Sequence, residues 1–334
     1  MQYTSSEKLR PGAILAKTVY GTDGRTLIKT NTVLTPFLIQ KLTAMGYPGA
    51  YVFDPGETET QLRFALDERT RIRAAQHLKN LDLDKCVYVA NEIVTKLLNN
   101  KNVTREVSRI SSYDTVTWTH SVDVCTYSVM LGIAEGYTDD ELNQLSQAAL
   151  LHDIVKCMVN LDVLNKPGKL NPDEFALIKN HPEYGRSILE RNTSLSAPTI
   201  AAVYAHHENE DGSGYPRGVT GDRIHRYAKI IHITDVYEAC TARRPYKKPM
   251  NPADALENLM AGYGSTFDEE LLREFCMITV LYPVGRKVLL SDGRTATVTE
   301  NHRSCLSRPT VRTDDGHCID LLETLNVTIL KLID

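Results

Sequence analysis

AALLHDIVK, residues 148 to 156, decides how this chain folds. Four apolar residues run without strand-like alternation into His152 and Asp153, so the pair emerges from a buried helix. Ile230-Ile231-His232-Ile233 leads into Asp235 in the same way. Carboxylates on apolar helices are costly unless something positive neutralises them. Working outward, Thr138-Asp139-Asp140-Glu141 is a capping box, Asn171-Pro172-Asp173-Glu174 is a close relative of one, and Asn251-Pro252 opens another helix. Residues 106–282 therefore read as an all-α domain.

The flanks differ in character. Residues 1–56 read as a small α/β domain: Asp23-Gly24 sits between two β-rich runs, Thr35-Pro36 starts a helix and Gly46 ends it. Two polar amphipathic helices, roughly 60–80 and 84–100, make residues 57–105 a helical connector. After Tyr282-Pro283, β-runs split by Asp292-Gly293 and Asp315-Gly316 make residues 283–334 a small β-rich domain. The expected architecture is multidomain, a helical body between a small α/β domain and a small β-rich one.

Composition narrows the function classes. Residues 1–105 carry 15 Lys and Arg against 10 Asp and Glu, and the remainder 23 against 32. Such an acidic body lacks the dense basic stripe of a nucleic-acid polymer binder. No apolar run approaches a membrane span and the N-terminus lacks a signal-peptide pattern, so a cytoplasmic protein is expected. Seven cysteines form no C-x-x-C pair, which fits reduced thiols better than a disulfide framework or zinc ribbon.

The histidines carry the chemistry. Any one of His120, His152, His181, His206 and His207 alone reads as a hydrogen-bonded core residue, but five of them with Asp153 and Asp235 collect at helix ends within one segment. Imidazoles with carboxylates suit Fe or Mn, with Zn or Ni next, rather than Mg or Ca. Seven such residues exceed the needs of one ion, so two divalent ions bridged by one Asp are expected, a standard device for attacking a phosphoryl group.

At these residues the sequence resembles the HD-GYP family of cyclic dinucleotide phosphodiesterases, within the HD superfamily of metal-dependent phosphohydrolases. The match covers HS at 120–121, HDIVK at 152–156, LNKPGKLNPDEFALIKNHPEYG at 164–185, HHENEDGSGYP at 206–216, ITDVYEACTARRPYK at 233–247 and FD at 267–268. The resemblance implies that His120, His152, Asp153 and Asp235 hold one metal, with Asp153 bridging to a second held by His181, His206 and His207. It implies a catalytic role for Asp153 and for Lys156 beside the reacting phosphate, and substrate contacts from Tyr215, Arg244 and Lys247, the last two of which read equally well as a solvated basic loop. His206 and His207 would cap a helix at the metals, and the Gly212-x-Gly214-Tyr215-Pro216 turn would close the backbone over the site. Two departures stand out: Val155 replaces the family's usual Gly and would narrow the wall beside Lys156, and Val116 replaces a Glu that serves a third metal in some members.

The expected reaction is hydrolysis of cyclic di-GMP to the linear dinucleotide pGpG and onward to GMP. The rivals are a catalytically weak protein that only binds a cyclic dinucleotide, and a phosphodiesterase for cyclic GMP-AMP. The terminal domains would serve a homodimer or a regulatory protein partner.

Overall fold

Thr35 starts the first helix. Its hydroxyl accepts from the Leu38 N–H, and Pro36 takes the first helical position, where a missing N–H costs nothing. This helix, α1 (Pro36–Ala44), belongs with strands β1 (Gln2–Ser5), β2 (Val19–Tyr20), β3 (Thr26–Ile28) and β4 (Gly49–Val52) to a unit that ends at residue 63. β1 pairs antiparallel with β4, β2 pairs antiparallel with β3, and Leu9, Leu15, Leu34 and Leu42 fill a small core of their own. The computed structural model describes residues 2–21, 25–47, 49–53, 66–99, 117–157, 171, 176, 178–192, 194–242, 250–282, 284–302 and 305–333. The Asp23-Gly24 turn, the Asn171-to-Glu174 start signal beyond Asn171 itself, Val116, Arg244 and Lys247 lie outside the described residues, as does the side chain of Lys156.

Residues 64–333 form a second unit. It begins with α2 (Glu68–Lys79) and α3 (Leu83–Leu98), capped by Asp67 and Asp82. Helices α4 (Thr117–Ala134) and α5 (Asp139–Leu151) follow, then α6 (His181–Leu189), α7 (Ala197–Ala205), α8 (Arg226–Thr241), α9 (Pro252–Met260) and α10 (Glu269–Ile278). Residues 121–132 of α4 are buried on every side, the mark of a helix at the centre of a body. Two of its hydroxyls are satisfied internally: Ser128 Oγ meets Thr234 Oγ1 of α8 at 2.8 Å, and Thr126 Oγ1 donates to the Val122 carbonyl. The Thr138 capping box of α5 is present, with the Thr138 N–H donating to Glu141 Oε2 at 2.8 Å. Among the described residues no helix is long and apolar enough to cross a membrane.

Strands β5 (Lys287–Leu290), β6 (Thr295–His302), β7 (Cys305–Thr313), β8 (Cys318–Asp320) and β9 (Ile329–Ile333) form an antiparallel sheet in the order β8-β7-β6-β5-β9. Alternation along β5 and β6 points Val288, Leu290, Ala296 and Val298 to one face, and these residues continue the core of the helices. The connector helices and the closing sheet thus share one core with the helical body. The mostly helical core with a small C-terminal sheet is the expected fold class at that level. Cys86, Cys125 and Cys240 are buried, and all six cysteines with described side chains are unpaired thiols.

Candidate metal centre

The helix ends explain why histidines stand where they do. The last carbonyls of a helix have no intrahelical partner. His152, at the C-cap of α5, donates Nδ1–H to the Ala149 carbonyl at 2.8 Å; His206, at the C-cap of α7, does the same to Val203 at 2.7 Å. His181, the first residue of α6, donates Nδ1–H to Ile178 at 2.7 Å. On α4, His120 Nδ1–H donates to the Glu238 carboxylate of α8. In each ring the proton is held on Nδ1 by an acceptor that cannot donate, so Nε2 presents a lone pair to the centre.

These Nε2 atoms converge on Asp153, which is 3% exposed. Its Oδ2 lies 3.2 Å from His152 Nε2 and 3.6 Å from His120 Nε2, while its Oδ1 lies 3.3 Å from His181 Nε2 and 4.0 Å from His206 Nε2. Asp235 Oδ1 stands 3.1 Å from His120 Nε2. The seven sequence-predicted ligands therefore gather as two groups, His120 with His152 and Asp235, and Asp153 with His181, His206 and His207. In each group one ligand atom per residue lies within 4.8 Å of the others. One carboxylate oxygen of Asp153 faces each group.

The donor set fits cations. His152 Nε2 is buried and makes no hydrogen bond, and His181 Nε2 and His206 Nε2 stand 3.2 Å apart, two lone pairs facing each other. That arrangement is repulsive without a positive charge between them. Burial, then the neighbouring His207, His152 and His181, hold His206 well below its usual pKa, so it stays neutral and able to ligate. At His120, burial is outweighed by Glu238, Asp153 and Asp235, which raise its pKa strongly. The carboxylate field that favours a proton there favours a metal cation as well. Two divalent ions would set four positive charges against the three carboxylates Asp153, Asp235 and Glu238, leaving the centre positive and attractive to an anion.

The HHENEDGSGYP loop closes on itself beside this centre. The Tyr215 N–H donates to the His207 carbonyl at 3.0 Å, and the Tyr215 ring stacks on the His207 ring at 4.7 Å between centroids. Gly212 takes φ +80°, and Gly214 is required by space rather than by φ: a Cβ there would meet Asn209 N at 2.3 Å. Tyr215 is followed by a cis peptide to Pro216. Burial, then Asp153 and Asp235, raise the phenol's pKa, so Tyr215 stays a neutral donor over the centre.

Residues that sequence reasoning passed over complete the site. Glu238 falls one turn beyond Asp235 on the same face of α8, a spacing readable in ITDVYEAC. Glu208 is buried and accepts from the Arg217 and Val219 N–H groups, closing the base of the loop. Lys229 ties the loop to α8 and α10 through Glu210 at 3.0 Å and Asp268 at 3.1 Å. His232 donates Nδ1–H to the His206 carbonyl at 2.7 Å. Val155 is buried in the core, with its Cγ2 3.4 Å from where a Cβ of Gly185 would stand, so its bulk is taken up by packing on α6.

Residues 93–271 match the family model described as HD domain. The chain belongs to the HD domain family. The chain is 37% identical over 224 residues to a cyclic di-GMP phosphodiesterase of Pseudomonas aeruginosa, covering 67% of this chain and 54% of that protein. It is 29% identical over 247 residues to a 3'3'-cGAMP-specific phosphodiesterase of Vibrio cholerae, covering 70% and 46%. The chain thus spans about half the length of these relatives. An HDG"Y"P protein from Bdellovibrio bacteriovorus shares the fold with a TM-score of 0.55 at 17% identity, over 82% of this chain and 97% of that one.

Proposed function

We propose that the chain hydrolyses cyclic di-GMP in a metal-dependent phosphodiester cleavage. The observation that carries this reading is Asp153, whose two oxygens face two separate groups of imidazoles, with the proton of His120, His152, His181 and His206 turned away from the centre. His120, His152, Asp153 and Asp235 would hold one divalent ion, and Asp153, His181, His206 and His207 the other, with Fe or Mn suiting this nitrogen and oxygen set. Such ions, when bound, supply Lewis acidity and acidify water. The protein's own groups would orient the substrate: Tyr215, stacked on His207, would offer a neutral hydroxyl to a phosphate or guanine, and Lys156, which follows the buried Val155 in the sequence, would stabilise charge on the reacting phosphate. Arg244 and Lys247 would contact substrate phosphate or guanine. The N-terminal α/β unit and the C-terminal sheet would serve regulation or dimerisation.

The names of the relatives support the substrate class and divide on the second base, one cyclic di-GMP and one cGAMP. The higher identity lies with the former. Protein loaded anaerobically with Mn²⁺ or Fe²⁺ is incubated with cyclic di-GMP and with 3'3'-cGAMP, and products are resolved chromatographically. Formation of pGpG that disappears in Asp153→Asn is expected. Tight binding of cyclic di-GMP without cleavage would establish the binding-protein alternative, and faster cleavage of cGAMP would reassign the substrate.

A further inference from the structure

A lysine that the proposed chemistry does not use stands beside Tyr215. Lys179 lies two residues before His181, and its Nζ stands over the Tyr215 ring, 5.3 Å from the centroid. That ring stacks on His207 at 4.7 Å and meets the His181 ring edge-on at 6.4 Å. Burial falls along this row: His181 and His206 are buried, His207 and Tyr215 are half-buried, and Lys179 is exposed. The row therefore runs from the candidate ligands outward and marks a side on which the centre opens to solvent.

An exposed ammonium over an aromatic ring contributes little to stability, so the contact with Tyr215 matters for where it holds the charge rather than for the fold. The substrate class supplies a use for that charge. A cyclic dinucleotide carries two phosphodiesters, each with a negative charge. The paired groups around Asp153 form one centre, which can engage the diester under attack. The second diester enters with its charge unmatched, and drawing it against Tyr215 strips water that a donor must replace. An ammonium is a compact point charge with three donors on a flexible stem, which suits a phosphate held at the rim of a site.

We propose that Lys179 binds the phosphodiester of the cyclic dinucleotide that is not cleaved, and so selects substrates with two phosphates over simple diesters. The proposal rests on the reading of the chain as a cyclic di-GMP phosphodiesterase. It adds to that reading the side of the centre on which the second phosphate is held.

The test is steady-state kinetics of the full chain, loaded anaerobically with Mn²⁺, on cyclic di-GMP and on bis(p-nitrophenyl) phosphate, a diester with no second phosphate. Lys179→Met keeps the stem and removes the charge. It is expected to raise KM for cyclic di-GMP about tenfold, the scale of one charge-assisted hydrogen bond, with kcat within about twofold. For the simple diester its kcat/KM should change by less than about twofold, since the lost contact is not made there. Added salt should raise KM less in the variant than in the parent, because one ionic contact is gone. Lys179→Arg, which keeps the charge, is expected to hold KM within about threefold of the parent. Calorimetric binding of a cleavage-resistant phosphorothioate analogue of cyclic di-GMP should show the same loss of about tenfold in Lys179→Met. Unchanged KM and analogue binding in that variant would overturn the assignment. So would the same loss in Lys179→Arg, or an equal loss on both substrates, which would mark Lys179 as a support for the Tyr215 ring. Should the parent bind the analogue but cleave neither substrate, the phosphodiesterase reading fails while the binding comparison still decides Lys179.

Discussion

Gly214→Ala tests the closed loop most directly, because the structure supplies the magnitude. An added Cβ would stand 2.3 Å from Asn209 N, 2.5 Å from Glu208 Cα and 2.5 Å from the His207 carbonyl oxygen. Those are backbone atoms and cannot rotate away, whereas ordinary carbon contacts lie at about 3.5 Å. The two sides of the loop must therefore part by about 1 Å, which strains or breaks the adjacent Tyr215 N–H to His207 carbonyl bond. Overpacking costs about 1–3 kcal/mol and the hydrogen bond about 1 kcal/mol more. A fall in melting temperature of roughly 5–10 °C is expected for a unit of this size. Because the displaced atoms carry the His207 and Tyr215 rings, a shift of about 1 Å should lower turnover by about 100-fold. Gly136→Ala is the comparison. Gly136 has φ +77° but open space around its Cα, so alanine costs about 1–2 kcal/mol of left-handed strain and leaves turnover unchanged. Thermal unfolding followed by circular dichroism and a chromatographic assay with cyclic di-GMP report both quantities. Turnover of Gly214→Ala within threefold of the parent, with an unchanged melting temperature, would refute the argument that this loop is clamped at the centre.

Glu238→Gln should weaken Mn²⁺ binding by about 10–100-fold while leaving the helical content intact, because it removes the negative charge behind His120 and lets the amide offer an N–H in place of an acceptor; calorimetric titration decides it. Acid should loosen the docking of α2 on α3. Against the opposing effect of burial, Lys96 and Thr70 hold Asp67 below its ordinary 3.8, and Arg73 and Lys96 hold Glu92 below its ordinary 4.5. Depressed carboxylates stabilise the fold above those ordinary values, and the contribution disappears as pH falls through the lowered ones. Melting curves from pH 6 to pH 3 should show that loss, of no more than about 1 kcal/mol per pair given the exposure of these groups, and Lys96→Met should flatten it. Among the cysteines with described side chains, Cys318 should react first with a thiol reagent at pH 8, while Cys86, buried and pushed up to about 12, should react only on unfolding.

The helices were legible because their signals are local. The Thr138 capping box, the Thr35-Pro36 start and the apolar run into His152 each depend on residues within one or two turns, and each appears where the spacing predicts. Glu238 was equally local, three residues past Asp235, but a glutamate inside a helix pattern reads as a solvated face until α4 is seen lying against it. The buried ion pair of Arg71 on α2 with Asp123 on α4 was out of reach, since fifty-two positions separate its members and neither belongs to a motif. The closing sheet was readable as strands; that its Val288 and Val298 continue the helical core was not, because alternation shows that a face is buried without showing against what.

From its order of residues alone, this chain determined which side chains can ligate, at which helix ends they stand, and which family they resemble. Tertiary packing alone decided that one oxygen of Asp153 faces His152 and the other His181, and that Glu238 of another helix holds the His120 proton. Helix capping and periodicity act between neighbours in the chain. Such neighbours, carbonyls three residues back, also turn the rings of His152, His181 and His206, whereas the meeting of their Nε2 atoms on one carboxylate, and the Glu238 acceptor for His120, join residues far apart in the chain and are set only when the core closes.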